Sequence, residues 1–249
     1  MHPTALDLAL LSAALLGFRH GFDYDHIAAI SDITSVESNK KQAMRMGLLY
    51  VLGHAATVAV LGAVVIGFQR SLPARIDGWA ERAVGMTLVL LGIYVLGSLM
   101  RQREHFTPKS RAAILIGAFG WLSWQIKRLF HRASVEKPRP RNASYSRKTV
   151  FLIGVIHGFG AETPSQLLLF LLAANLGGLA LGFLGLGMFL AGLLVMNTLM
   201  TASAVGFFGA SSAKPRLLRL VIGFTAVYSL VVGAIFLFGS SSILPPLGG

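Results

Sequence analysis

Two histidines and two aspartates stand within seven consecutive positions, His20, Asp23, Asp25 and His26, with Arg19 directly before them. Imidazole nitrogen and carboxylate oxygen together are the donor set that borderline divalent cations such as Ni2+, Co2+, Zn2+ and Cu2+ favour. The chain has no cysteine, so thiolate sites, iron–sulfur clusters and disulfides are excluded within it, and Cu(I) selection is disfavoured. On a continuous helix Asp25 would lie about 140° around from His20. A site that uses both needs a break, and Gly21 is where the spacing places it. Arg19 and Asp23, four apart, are positioned to pair and so neutralise the arginine.

The elements around this cluster are strongly apolar. Of 249 residues 54% are hydrophobic and 13% charged, and the mean hydropathy is +0.67, outside the range of ordinary soluble domains. Runs long enough to span a bilayer occur at about 5–31, 44–68, 80–100, 149–172, 178–208 and 217–239. The fold class expected is therefore an all-α polytopic membrane protein with six transmembrane helices, the first retained rather than cleaved. Ionisable groups at membrane depth are costly and usually face a cavity, pair, or mark an ion path. At 1.5 Å per residue, His20, His54 and Glu162 share a central slab about 15–20 Å from the helix ends.

The formal charge is +12, and its distribution sets topology. Lys40, Lys41, Arg45, twelve basic residues from Arg101 to Lys148, and Lys214, Arg216 and Arg219 fall on one side. Arg70, Arg75 and Arg82 fall on the other. The positive-inside rule then places both termini outside and the basic loops in the cytoplasm. Three regions follow: a first three-helix half at 1–100, a basic cytoplasmic loop at 101–148, and a second half at 149–249. Residues 112–126 of the loop are apolar but too short to span, as suits an interfacial helix. The basic run at 131–148 reads as a partner for anionic headgroups and not for nucleic acid.

His20-Gly21-Phe22 recurs as His157-Gly158-Phe159, each followed by an acid, Asp23 and Asp25 in one case and Glu162 in the other. Three helices per half would reverse the orientation of the second half, the inverted 3+3 repeat of many secondary transporters, with the substrate site near the midplane.

At these residues the sequence resembles the nickel/cobalt transporter family, also called the high-affinity nickel permease family. His20 through His26 fits its His-x4-Asp-His signature after an arginine, and Leu52-Gly53-His54-Ala55-Ala56-Thr57 looks like its second block. The resemblance implies that His20, Asp25, His26 and His54 recognise metal. Together with the echo and the Arg19–Asp23 spacing, it places Arg19, Asp23, Thr57, His157, Glu162, Thr163, Gln166 and Asn197 along the expected transport path. Gln166 and Asn197 stand where the family pattern has acids, so the path is less acidic. The implied function is a non-enzymatic permease of a bacterial cytoplasmic membrane, with Ni2+ or Co2+ as substrate, no cofactor, and self-association kept as an option. Uptake is favoured, because the region rich in histidine in related exporters holds only His105 and His131. No Gly-x4-Gly-Lys-Ser/Thr signature is present, so the membrane potential, about 2.3 kcal/mol per charge per 100 mV, would supply the energy. Export of a metal or another small solute is the alternative. The His-x4-Asp spacing also occurs in membrane acyltransferases, which need a larger domain for the acyl donor than 101–148 provides.

Overall fold

The computed structural model describes residues 3–37, 39–71, 74–101, 146–160, 170–171, 174–175, 177–212 and 214–245. Among them every regular element is helical: α1 (Pro3–His20), α2 (Tyr24–Ser35), α3 (Lys40–Phe68), α4 (Ala74–Arg101), α5 (Arg147–His157), α6 (Leu179–Ser211) and α7 (Pro215–Leu237), with a 3-10 turn at Ser241–Ile243. The first apolar run is thus two helices broken at 21–23, where the opposed placement of His20 and Asp25 required a break. The loop at 102–145, with its expected interfacial helix, lies outside the described residues, as do Glu162, Thr163 and Gln166.

Local chemistry sets the helix ends. Asn39 caps α3 by accepting from the Lys41 and Gln42 amides, and Ser146 caps α5 by accepting from the Thr149 amide. Each thereby satisfies amides that a helix start leaves without partners. Pro215 opens α7, where its missing N–H costs nothing. Gly178 enters α6 with φ of 86°, a conformation that only glycine adopts without strain.

Among the described residues, three helices are long and apolar enough to cross a membrane: Lys40–Phe68, Leu179–Ser211 and Arg216–Leu237. Their outward faces stay apolar, with Leu52, Val60, Leu199, Phe207, Leu220 and Phe224 all exposed. A helix apolar on its outer as well as its inner face suits hydrocarbon rather than water.

The principal pairings are α1 with α6, α3 with α5 and α4 with α7. Small residues make them possible, since a bilayer supplies no hydrophobic drive between helices and association rests on close packing. A side chain at Gly17 would collide with the backbone of Phe189, and one at Gly192 with that of Ala14 and Phe18. Likewise a side chain at Gly154 would collide with the backbone of Tyr50 and His54, and one at Gly53 with that of Phe151 and Val155. Gly21 lies against Leu193 and Met196, and Gly158 against His54 and Thr57. The two crossings are therefore built alike, residue for residue. In the middle of the bundle runs the short α2, which touches α3, α4, α5, α6 and α7 and is buried on nearly every side.

Candidate metal centre

The helical break brings the first two histidines together. The amides of Gly21, Phe22 and Asp23 bond back to the carbonyls of Gly17, Arg19 and His20, which tightens the end of α1. Asp23 then takes an extended conformation (φ −74°, ψ 161°) and α2 begins. His20 closes one helix and His26 sits in the first turn of the next, their ring centroids 5.1 Å apart. His54 comes in from the middle of α3, its ring 5.4 Å from that of His20 and 4.4 Å from that of His26.

One nitrogen from each of the three rings lies within 4.8 Å of the others, and all three side chains are buried. The His26 and His54 Nε2 atoms are 3.3 Å apart. Two nitrogens each about 2.0–2.1 Å from one ion, at an angle near tetrahedral, stand about 3.4 Å from each other. The contact is a hydrogen bond between the two rings, and the same spacing fits a shared cation.

Two carboxylates back the cluster. His26 Nδ1 donates to Asp25 Oδ1 at 2.8 Å, which fixes the tautomer and leaves Nε2 with its lone pair facing His54. His20 Nδ1 stands 2.9 Å from Asp23 Oδ2. This is an ion-pair distance off the line of the ring N–H, so neither nitrogen of His20 has an aligned hydrogen-bond partner among the described residues. Histidine ligands backed by carboxylate are the common outer arrangement of metal sites. Dipoles and charges add to this. The negative end of the α1 dipole falls at His20, which favours a cation, and Asp23 and Asp25 offset the positive end of α2. Neutral imidazoles alone would leave a divalent ion uncompensated in a low-dielectric interior, and the two carboxylates supply two negative charges beside it.

The remaining sequence-selected residues separate. Asp25 is buried and acts on His26, outside the triad of nitrogens. Asp23 turns to His20 and not to Arg19, which is exposed; α1 ends before Asp23, so the four-residue helical spacing expected to join them does not exist. Thr57 shares its one hydroxyl proton between the Gly53 and Val155 carbonyls, at 3.2 and 3.1 Å, which ties the α3–α5 crossing. His157 is buried and bonded to Tyr50 and Thr87. Asn197 is buried on α6, with neither amide atom hydrogen-bonded among the described residues.

Sequence reading passed over three polar residues. Asp32 is fully buried on α2, and its Oδ2 accepts from Ser229 of α7 at 3.1 Å. Seven residues from Asp25, it falls on nearly the same helical face, and that spacing was the available signal. Tyr50 and Thr87 gave none, since a tyrosine or threonine in an apolar run ordinarily reads as packing.

Comparison with known proteins bears on the same region. Residues 6–111, which include all three histidines, match the family model of the high-affinity nickel-transport protein. A high-affinity nickel transport protein of Cupriavidus necator is 33% identical over 81 residues, 32% of this chain and 23% of that protein. The cobalt transport protein NhlF of Rhodococcus rhodochrous is 28% identical over 171 residues, 66% of this chain and 48% of that protein. The urease accessory protein UreH of a Bacillus species is 28% identical over 91 residues, 36% of this chain and 40% of that protein. The chain thus spans less than half the length of these curated relatives. No solved structure matches it.

Proposed function

We propose that this chain, a divergent relative of the nickel/cobalt transporters, is a secondary permease for Ni2+ or Co2+ in a bacterial cytoplasmic membrane. The observation that carries the reading is the triad of buried imidazoles at a helix break, with nitrogens within 4.8 Å and carboxylates on two of the rings. Nothing else buried in the bundle offers a divalent cation three neutral nitrogens and nearby negative charge among the described residues.

In this reading His20, His26 and His54 replace the water ligands of the incoming ion. Asp25 and Asp23 act through His26 and His20, raising ligand basicity and balancing charge. Six spans carry the path, with both termini outside and residues 101–148 in the cytoplasm against anionic headgroups. The paired crossings of α1 with α6 and α3 with α5 support an inverted repeat of two halves, 1–100 and 149–249, around a midplane site. The membrane potential draws the doubly charged ion inward, twice the single-charge energy of about 2.3 kcal/mol per 100 mV. His157, Glu162, Thr163, Gln166 and Asn197 belong to the second half's side of the path.

Accumulation of radioactive nickel and cobalt in whole cells tests this. The unaltered protein should raise uptake over cells lacking it, and His20→Ala and His54→Ala should each return it to background at equal membrane abundance. Uptake retained in both variants would end the proposal.

A further inference from the structure

The like-built crossings superpose one histidine on another. Gly17 meets the Phe189 backbone as Gly154 meets that of Tyr50, and Gly21 meets Leu193 as Gly158 meets His54. His20 therefore corresponds to His157, and Phe189 to Tyr50. The ring distances agree: His20 to Phe189 is 5.6 Å and Tyr50 to His157 is 5.6 Å.

The two histidines nevertheless differ in what is left free. Thr87 has a single hydroxyl proton and donates it to the Val84 carbonyl at 2.7 Å. Its oxygen, 2.9 Å from His157 Nε2, must accept from that nitrogen's proton. His157 Nδ1 then carries the lone pair and accepts from the Tyr50 hydroxyl at 3.1 Å. Both nitrogens of His157 are engaged, and the donor–acceptor directions are consistent from Tyr50 to Val84. Phe189 has no hydroxyl to offer, and His20 keeps a buried Nε2 without a hydrogen-bond partner among the described residues.

Resting on the metal reading of the triad, we propose that Tyr50 and Phe189 are positioning residues which decide which of the two equivalent histidines meets the ion. The tyrosine hydroxyl, with Thr87, withholds His157, and the bare phenyl ring leaves His20 available. The two hydroxyls thus set His157 apart from His20, with the ion held on the first half's side.

The test uses full-length protein in lipid nanodiscs titrated with Co2+, read by its visible absorption, alongside nitrogen-15 spectra of the histidine rings. Phe189→Tyr should weaken Co2+ binding by at least about tenfold, the range that altered outer groups produce. Phe189→Leu, which removes the ring without adding a donor, should bind within a few-fold of the unaltered protein. Tyr50→Phe removes the donor to His157, so the His157 Nδ1 signal should move to that of an unbonded nitrogen. Unweakened binding in Phe189→Tyr, equal loss in both Phe189 variants, or an unmoved His157 signal would each overturn the proposal. His20→Ala keeps the two readings apart. If it binds Co2+ normally the metal site itself is wrong, whereas if it fails while Phe189→Tyr binds normally only the positioning role is lost.

Discussion

The two helix crossings share a backbone plan and diverge in what they do with polar groups. Around the first break, three imidazoles converge and two carboxylates stand behind them. In the second half, the equivalent His157 is consumed by a tyrosine and a threonine, and Leu193 occupies the place that His54 has in the first half. Close packing by glycine is thus required of both halves. Ligand chemistry is required of only one.

The largest effect should come from what the halves share. A leucine at Gly17 or at Gly154 would drive a side chain into the facing backbone, with no flexible group able to yield. Overpacking in a tolerant core costs about 1–3 kcal/mol, and backbone against backbone costs more. Both variants should fail to accumulate as folded protein, measured by detergent-extracted monodisperse yield. A tolerated leucine at one crossing alone would show that the halves are not equivalent even in packing.

Next comes the feature that distinguishes them. His26→Ala removes a nitrogen from the cluster and should lower Ni2+ uptake by more than the roughly 10–100-fold that outer-shell changes cost. His157→Ala should lower it only several-fold, by loosening α3, α4 and α5. Equal losses measured side by side would erase the asymmetry. Smallest is Asp25→Asn, which keeps the shape but removes the charge behind His26. An apparent Ni2+ affinity about tenfold weaker is expected from titration, and an unchanged affinity would remove Asp25 from the site.

Much of the first half could be read from the sequence, because a charged cluster in an apolar run leaves few alternatives. The need for a break followed from His20 and Asp25 facing apart, and the backbone makes it at 21–23, turning extended at Asp23. What that reading could not supply was the consequence of the break for neighbours. Once α1 stops at His20, Asp23 swings to His20, and Arg19 faces outward. The resemblance counts Asp25 among the metal-recognising residues, and only tertiary geometry places its carboxylate on His26 Nδ1, across the ring from the nitrogen that faces His54. Tyr50, Thr87 and Ser229 were illegible for a different reason. A serine or threonine hydroxyl in a membrane helix usually satisfies itself on the carbonyl one turn back, as Thr34, Thr201 and Thr87 all do, so residue type does not reveal that Thr87 also accepts from His157. Glu162, Thr163 and Gln166 lie outside the described residues, and their part rests on the resemblance.

The bare contact at each crossing also bears on motion. Helices that touch through backbone have their closest approach at one fixed point, so each glycine contact is the fulcrum about which a pair would turn. His20 lies less than one turn from its fulcrum at Gly17, and His54 is adjacent to its own at Gly53. Ligands so near a fulcrum travel little while the distant ends of α6, a helix of roughly 50 Å, sweep widely. Turning about these fulcrums would therefore leave the three imidazoles nearly where they are.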